Sequence, residues 1–231
     1  MDLTSPAIWA ALGSIIIANV LLSGDNAVVI AMAARSLPPH QQKKAVIWGS
    51  GAAIMMRIVL TIIAAQLLRL PFLKIIGGLA LLYIGVDLLN EGEEEGDIGS
   101  ESGGMMSAIR TILVADLVMS LDNVLAVAAA AKGDNVLLVV GLAISIPLII
   151  FGSTMLMKVM ERIPIIITAG AGLLGFLAGE MMLTDPAVAE RVGAVPHLVV
   201  QAAGALGAAL VVATGFYLNK RRKQQREALA A

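Results

Sequence analysis

Seven apolar stretches dominate the chain, at about 6–34, 45–68, 72–89, 110–131, 136–157, 164–183 and 197–218. Each is close to the roughly 20 residues that a helix needs to cross a bilayer. In hydrocarbon every backbone N–H and C=O must be paired within the chain, so such a succession folds as a bundle of transmembrane helices. The links carry turn and charge signals: Leu37-Pro38-Pro39-His40 after the first stretch, Arg69 and Pro71 after the second, Lys132-Gly133-Asp134-Asn135 after the fourth, Arg162 and Pro164 after the fifth. Composition agrees. Of 231 residues, 58% are hydrophobic and 14% charged, against about a quarter charged in a soluble domain. The sequence therefore predicts an all-α membrane protein with seven transmembrane helices. Met1-Asp2-Leu3 lacks the basic region that opens a signal peptide.

Seven crossings put the two termini on opposite sides. With the N-terminus outside, the inner loops and tail hold eleven of the 16 Lys and Arg residues and the outer loops four. Arg57 lies inside the second stretch. Positive residues gather on the cytoplasmic side, so the expected orientation is N-out and C-in, in a bacterial inner membrane. Trp9 and Trp48 fall near helix ends, as interfacial anchors or as lipid-facing side chains.

The apolar stretches also repeat. Ala18-Asn19-Val20-Leu21-Leu22-Ser23-Gly24-Asp25-Asn26 matches Ala115-Asp116-Leu117-Val118-Met119-Ser120-Leu121-Asp122-Asn123, and Gly78–Gly85 resembles Gly172–Gly179. Segments one to three thus correspond to four to six. Three is odd, so the second triplet enters from the opposite face, which is the inverted repeat of many secondary transporters. The expected organisation is a three-helix repeat at 1–90, an acidic cytosolic linker at 91–109, a second inverted three-helix repeat at 110–183, and a seventh helix with a basic tail at 184–231.

The repeated motif carries acids where acids are costly. One Asp at the centre of a spanning helix costs about 2.5–3.5 kcal/mol on insertion scales. Asp25, Asp116 and Asp122 need a cation, a proton, water or a base to offset this, and Arg57 can serve only one of them. Asn19, Ser23 and Asn26 share one helical stripe, repeated by Asp116, Ser120 and Asn123. Asp25 and Asp122 sit one step before the stripe's last member, so a local break at Gly24 would help both sides of it face one site and would free carbonyls as ligands. The donors are carboxylate, carboxamide and hydroxyl oxygens, a hard set that suits Mg, Ca or Mn. The chain has no Cys, so thiolate sites and disulfides are excluded. Asp87 lies near the inner end of segment three and Glu180 near the outer end of segment six, as coupling groups or as interfacial carboxylates. Met32 and Met119 flank the motifs as packing side chains.

Other signals were set aside. Gly170-x-Gly172-x-x-Gly175 fits a dinucleotide fingerprint but follows no strand. Ala171, Gly175 and Gly179 instead form a ridge for close helix packing, with Gly204 and Ala208 as its counterpart in segment seven. The acidic run Glu91–Asp97 reads as a solvated linker; the sharper alternative is that it gathers cytosolic divalent cations. His40 and His197 are loop residues. No catalytic residue is assigned: no serine–base, zinc–water or P-loop constellation is present, so an enzyme is not expected. Nucleic-acid binding has no support.

The paired Ser-x-Asp-Asn signatures, the preceding Asn19 and Asp116, Arg57 and the seven-helix plan resemble the TerC family of integral membrane proteins, and the compact length and Gly24 resemble its YjbE-type branch. The resemblance covers essentially the whole chain. It implies a role in manganese export and homeostasis, and by name a link to tellurium resistance. It implies a metal site at Asp25, Asn26, Asp116, Asp122 and Asn123, to which the stripe analysis adds Asn19 and Ser120. The expected function is Mn2+ efflux by alternating access, in exchange for protons, with Arg57, Glu180 and Asp87 in charge balance or coupling. No permanently bound cofactor is expected; Mn2+ is the cargo, Ca2+ fits the same donors, and the lipid bilayer is the other partner. Oligomeric state is left open, a dimer included. The rivals are an exporter of an amino-acid-like solute and a membrane partner that delivers manganese to secreted enzymes.

Overall fold

A computed structural model describes residue 13 and residues 24–67, 70–90, 101–130, 135–193 and 195–230. It is all helical over these residues. The helices are α1 (Gly24–Arg35), α2 (Pro39–Leu67), α3 (Leu73–Asn90), α4 (Glu101–Ala130), α5 (Asn135–Arg162), α6 (Ile165–Leu183), α7 (Pro186–Val192) and α8 (His197–Ala230). Among the described residues six helices are long and apolar enough to cross a membrane: α2 to α6 and α8. The first predicted stretch lies largely outside the described residues, which show Gly13 as helical and then α1. Whether a break precedes Gly24 also falls outside them, as do Trp9, Asn19 and the acidic run.

Helix ends differ from the expected ones for local reasons. Pro39 occupies the first position of α2, where its missing N–H has no intrahelical partner to lose. The α4 helix starts at Glu101 rather than near 110. Ala108, with Met105 and Ile109 beside it, packs against Leu37 and Ala45, so this extra turn has an apolar surface to bury. The basic end of α8 stays helical to Ala230; Lys, Arg, Gln, Glu and Ala are good helix formers, and the Arg221 guanidinium lies 5.5 Å from the Tyr217 ring one turn earlier. Large apolar side chains face outward along the spans, including Trp48, Met55, Tyr83, Phe151 and Leu198. In water such a surface would aggregate; in a bilayer lipid covers it.

The chain forms two compact units, one of residues 1–70 and 102–159 and one of residues 71–101 and 160–231. Each draws on both halves of the sequence repeat. The first unit contains α1, α2, α4 and nearly all of α5. Here Gly49 of α2 meets Ile112 of α4, and farther along Arg57 meets Asp116 and Ser120. The contacts advance together, so α2 and α4 run parallel.

The second unit contains α3, α6, α7 and α8, and small residues set its spacing. Gly175 and Gly179 of α6 lie on the backbone of Gly207 and Ala203 of α8. A methyl group at any of the three glycines would collide with a carbonyl. Gly78 of α3 faces Ala178 and Met182, and Gly85 faces Ala171 and Leu174. The order reverses, so α3 and α6 are antiparallel. The last turns of these two helices also match. Asn90 Nδ2 donates to Val86 O at 2.7 Å, and Thr184 Oγ donates to Glu180 O at 3.0 Å.

Asp185 ties the ends of this unit. Its carboxylate accepts from Ala187 N–H at the start of α7, and from Phe72, Lys74 and Ile75 N–H at the start of α3, all at 2.8–3.2 Å. These are donors that a helix start otherwise leaves unpaired. Phe72 holds φ at 68°, a left-handed conformation that disfavours a bulky side chain. Burial alone would push the Asp185 carboxyl up, but the four backbone donors outweigh it and hold the carboxyl below its usual range.

Two outcomes are expected. Gly179→Ala lowers the melting temperature of the detergent-solubilised protein by several degrees, the scale of a 1–3 kcal/mol overpacking cost spread over a chain of about this size. Gly172→Ala, whose added methyl meets Val212 at an ordinary 3.5 Å, leaves it nearly unchanged. For Asp185 the folded value is depressed, so its contribution is present above the unfolded pKa and fades as pH falls below about 4. Asp185→Ala costs about 1–2 kcal/mol at neutral pH and flattens that acid-dependent loss in thermal unfolding monitored from pH 7 to 3.

Candidate functional site

The polar residues of the first unit centre on Arg57. Its side chain is 2% exposed, inside a helix that crosses the membrane. A guanidinium there must have partners, because an isolated buried charge is far costlier than a paired one. Arg57 Nη2 forms a short ion pair with Asp116 Oδ1. Its Nε donates to Ser120 Oγ at 3.0 Å, and Ser120 Oγ donates to Asp116 Oδ2 at 3.2 Å. The three side chains close a ring. Asp116 and Ser120 are four residues apart, one turn of α4, and so present their oxygens to Arg57 together. Thr61 Oγ donates to Arg57 O at 2.7 Å, one turn farther along α2.

Asp25 and Asn26 open α1. Asp25 is half-buried, and its Oδ1 accepts from Asn26 N–H at 2.8 Å. Among the described residues, Arg57 and Asp116 are charged groups within electrostatic reach of the Asp25 carboxylate, the first attracting and the second repelling it. Arg57 is engaged by Asp116, so it offsets Asp25 only in part. Asn26 is 3% exposed, and neither its Oδ1 nor its Nδ2 has a hydrogen-bond partner among the described residues. An unpaired carboxamide in the interior costs about 1–3 kcal/mol and marks a place where a ligand or water belongs.

The expected site residues are thus distributed as follows. Arg57, Asp116 and Ser120 are brought together, and Asp25 lies within their field. Asp122 and Asn123 belong to α4, but their side chains, like all of Asn19, lie outside the described residues. Among the described residues no three acids or histidines cluster as a ready metal cage. Met32 and Met119 are buried in the core. Asp87 and Glu180 are half-buried on α3 and α6, in the other compact unit. One residue that sequence reasoning passed over is Ser50, which is 1% exposed and also lacks a partner. Its signal was its place seven residues before Arg57, on the same face of α2.

Comparison with known proteins adds to this geometry. Residues 4–225 match the family described as integral membrane protein TerC family. The chain is 50% identical over 167 residues to the uncharacterized membrane protein YjbE of Bacillus subtilis, covering 72% of this chain and 76% of that protein. It is 28% identical to the uncharacterized membrane protein YceF of the same organism, covering 78% and 73%. It is 25% identical to the inner membrane protein YgdQ of Escherichia coli, covering 70% and 75%. No solved structure matches.

If the Arg57–Asp116 pair carries this arrangement, Arg57→Met strands a buried carboxylate and costs about 3–5 kcal/mol. The expected readouts are a lower melting temperature and poor recovery of monodisperse protein. Adding Asp116→Leu to Arg57→Met restores most of the stability, since no charge is then left unpaired.

Proposed function

This chain belongs to the TerC family of integral membrane proteins, and from that premise we propose that it is a transporter that exports Mn2+ from the cytoplasm. Transport proceeds by alternating access, in a bacterial inner membrane, with the N-terminus outside and the C-terminus in the cytoplasm. The observation that carries the reading is the juxtaposition of a half-buried carboxylate, Asp25, with a buried carboxamide, Asn26, whose side chain has no partner among the described residues. Both supply hard oxygen atoms of the kind that Mn2+ accepts in octahedral sites. Arg57 is already committed to Asp116 and Ser120. The charge that Asp25 needs is then supplied largely from elsewhere, and a cation also gives the Asn26 Oδ1 a partner.

In this reading Asp25 and Asn26 bind the ion first, with Asn19, Asp122 and Asn123 completing the set. Asp116 and Ser120 become ligands when the ion displaces Arg57 from them. Arg57 is thus the internal counter-charge of the empty state, returning to Asp116 when the metal leaves. Protons exchanged at the same carboxylates would lower the cost of the empty site in the membrane. Asp87 and Glu180 are the coupling groups of the proposal. Positive charge concentrated in the loops and tail assigned to the cytoplasm supports the orientation.

Mn2+ flux into proteoliposomes tests this. The wild-type chain moves Mn2+, with Ca2+ and Mg2+ as competitors that rank its selectivity. Asp25→Asn keeps its melting temperature and loses at least tenfold in flux. Undiminished flux in Asp25→Asn would remove the site assignment, and no flux in the wild type would remove the transport reading.

A further inference from the structure

Hydroxyl and amide side chains in the described helices usually settle onto their own backbone. Thr61, Ser153, Thr154 and Thr184 each donate to the carbonyl four residues earlier, and Asn90 does the same. This is the ordinary way for a polar side chain to survive in a membrane helix. Ser50 does not use it. Its hydroxyl is buried and has no partner among the described residues, although the Val46 carbonyl stands four residues before it. The side chain is held off its own helix, in the buried face of α2 that also presents Arg57.

Depth along the first two helices puts Ser50 at the level of the other orphan. Gln42 Nε2 donates to the Arg35 carbonyl at 3.2 Å and to the Leu37 carbonyl at 3.0 Å, which fixes where the end of α1 lies against the start of α2. From that point Asn26 is nine residues back along α1, about 13.5 Å, and Ser50 is eight residues forward along α2, about 12 Å. The two therefore sit at the same level of the hairpin, to within a turn. Arg57 lies two turns beyond Ser50, about 10.5 Å farther from the hairpin link. A level carrying the Asp25 carboxylate and two side-chain oxygens without partners among the described residues thus precedes the charged ring of Arg57, Asp116 and Ser120.

We propose that Ser50 Oγ and Asn26 Oδ1 form, with the adjoining Asp25 carboxylate, an oxygen station for the transported divalent cation, between the α1–α2 link and the charged ring. The proposal rests on the cation-transport reading above and adds Ser50 to it as a binding residue. A hydroxyl and a carboxamide oxygen suit a hard cation that keeps part of its water. They carry no charge themselves; Asp25, whose Oδ1 accepts from Asn26 N–H at 2.8 Å, supplies the anionic oxygen at the same level.

The test is equilibrium binding of Mn2+ to the purified full-length protein, with the melting temperature measured in parallel without metal. In Ser50→Ala the dissociation constant for Mn2+ is expected to rise at least fivefold, with the melting temperature unchanged or higher, because an unpaired buried hydroxyl has been removed. Ser50→Thr, which keeps the oxygen, should bind like the wild type. Ser50→Cys, made in a chain with no other cysteine, should bind Mn2+ more weakly and Cd2+ more tightly. A melting temperature that falls in Ser50→Ala with Mn2+ affinity unmoved would mean a structural hydroxyl and overturn the proposal. Affinity and stability both unmoved would mean a pocket that holds water only, which overturns it too. Loss of Mn2+ binding in Asp25→Asn beside wild-type binding in Ser50→Ala would sink the Ser50 station alone. A wild-type protein that binds no Mn2+ would sink the transport reading with it.

Discussion

The ring of Arg57, Asp116 and Ser120 is the interaction on which the first unit is organised. A guanidinium and a carboxylate are both buried there, in helices long enough to span a bilayer. Neither is tolerable without the other. The ring also sets register: α2 and α4 must run parallel with Arg57 level with the Asp116–Ser120 turn, and the approach of Gly49 to Ile112 follows from that alignment. Its functional consequence is subtraction. Arg57, buried within α2, is matched to Asp116, so it offsets the charge of Asp25 on α1 only in part.

The second unit solves a different problem with a different device. Among its described residues glycine and alanine let α3, α6 and α8 approach closely, and backbone meets backbone where Gly175 and Gly179 face Gly207 and Ala203. Lipid tails are as apolar as leucine, so hydrophobicity gives these helices no reason to associate; close packing of small residues does. Asp185 then fixes the ends of α3 and α7 from outside the apolar zone, through four backbone donors. One unit thus carries the ring of buried charges, and the other carries a packed scaffold in which Asp87 and Glu180 are half-buried.

Much of this was legible in the residues. Long apolar stretches predicted α2 to α6 and α8, and the four-residue spacing of Ala171, Gly175 and Gly179 predicted a close-packed face. That Arg57 would take one Asp followed from the cost of burying it. Which Asp it took did not follow, because the repeat makes Asp25 and Asp122 look equivalent and says nothing of the level at which α2 and α4 meet. The repeat also hides an asymmetry. At the offset of the Asp-Asn motifs, the counterpart of Arg57 is Thr154, whose hydroxyl donates to Ile150 O. The second half therefore offers no matching base. Ser50 escaped notice because a serine in an apolar helix ordinarily bonds to its own backbone, and its failure to do so is visible only in three dimensions. The early start of α4 was missed because its apolar side depends on Leu37 and Ala45, which are distant in sequence.

The account stands on the convergence of the two Asp-Asn motifs, carried by α1 and α4 of the same compact unit. The absence of native cysteine allows a direct measurement. Cysteines are placed at Asp25 and Asp122, and disulfide formation in intact membranes is read as a shift in gel mobility. The pair Ala45 and Ala108, which share one packed cluster, serves as the positive control. Rapid cross-linking of the 25–122 pair, at a rate close to the control's, is the predicted result. A 25–122 pair that stays reduced while the control closes would mean that the acids do not meet, and the shared cation site would have to be abandoned.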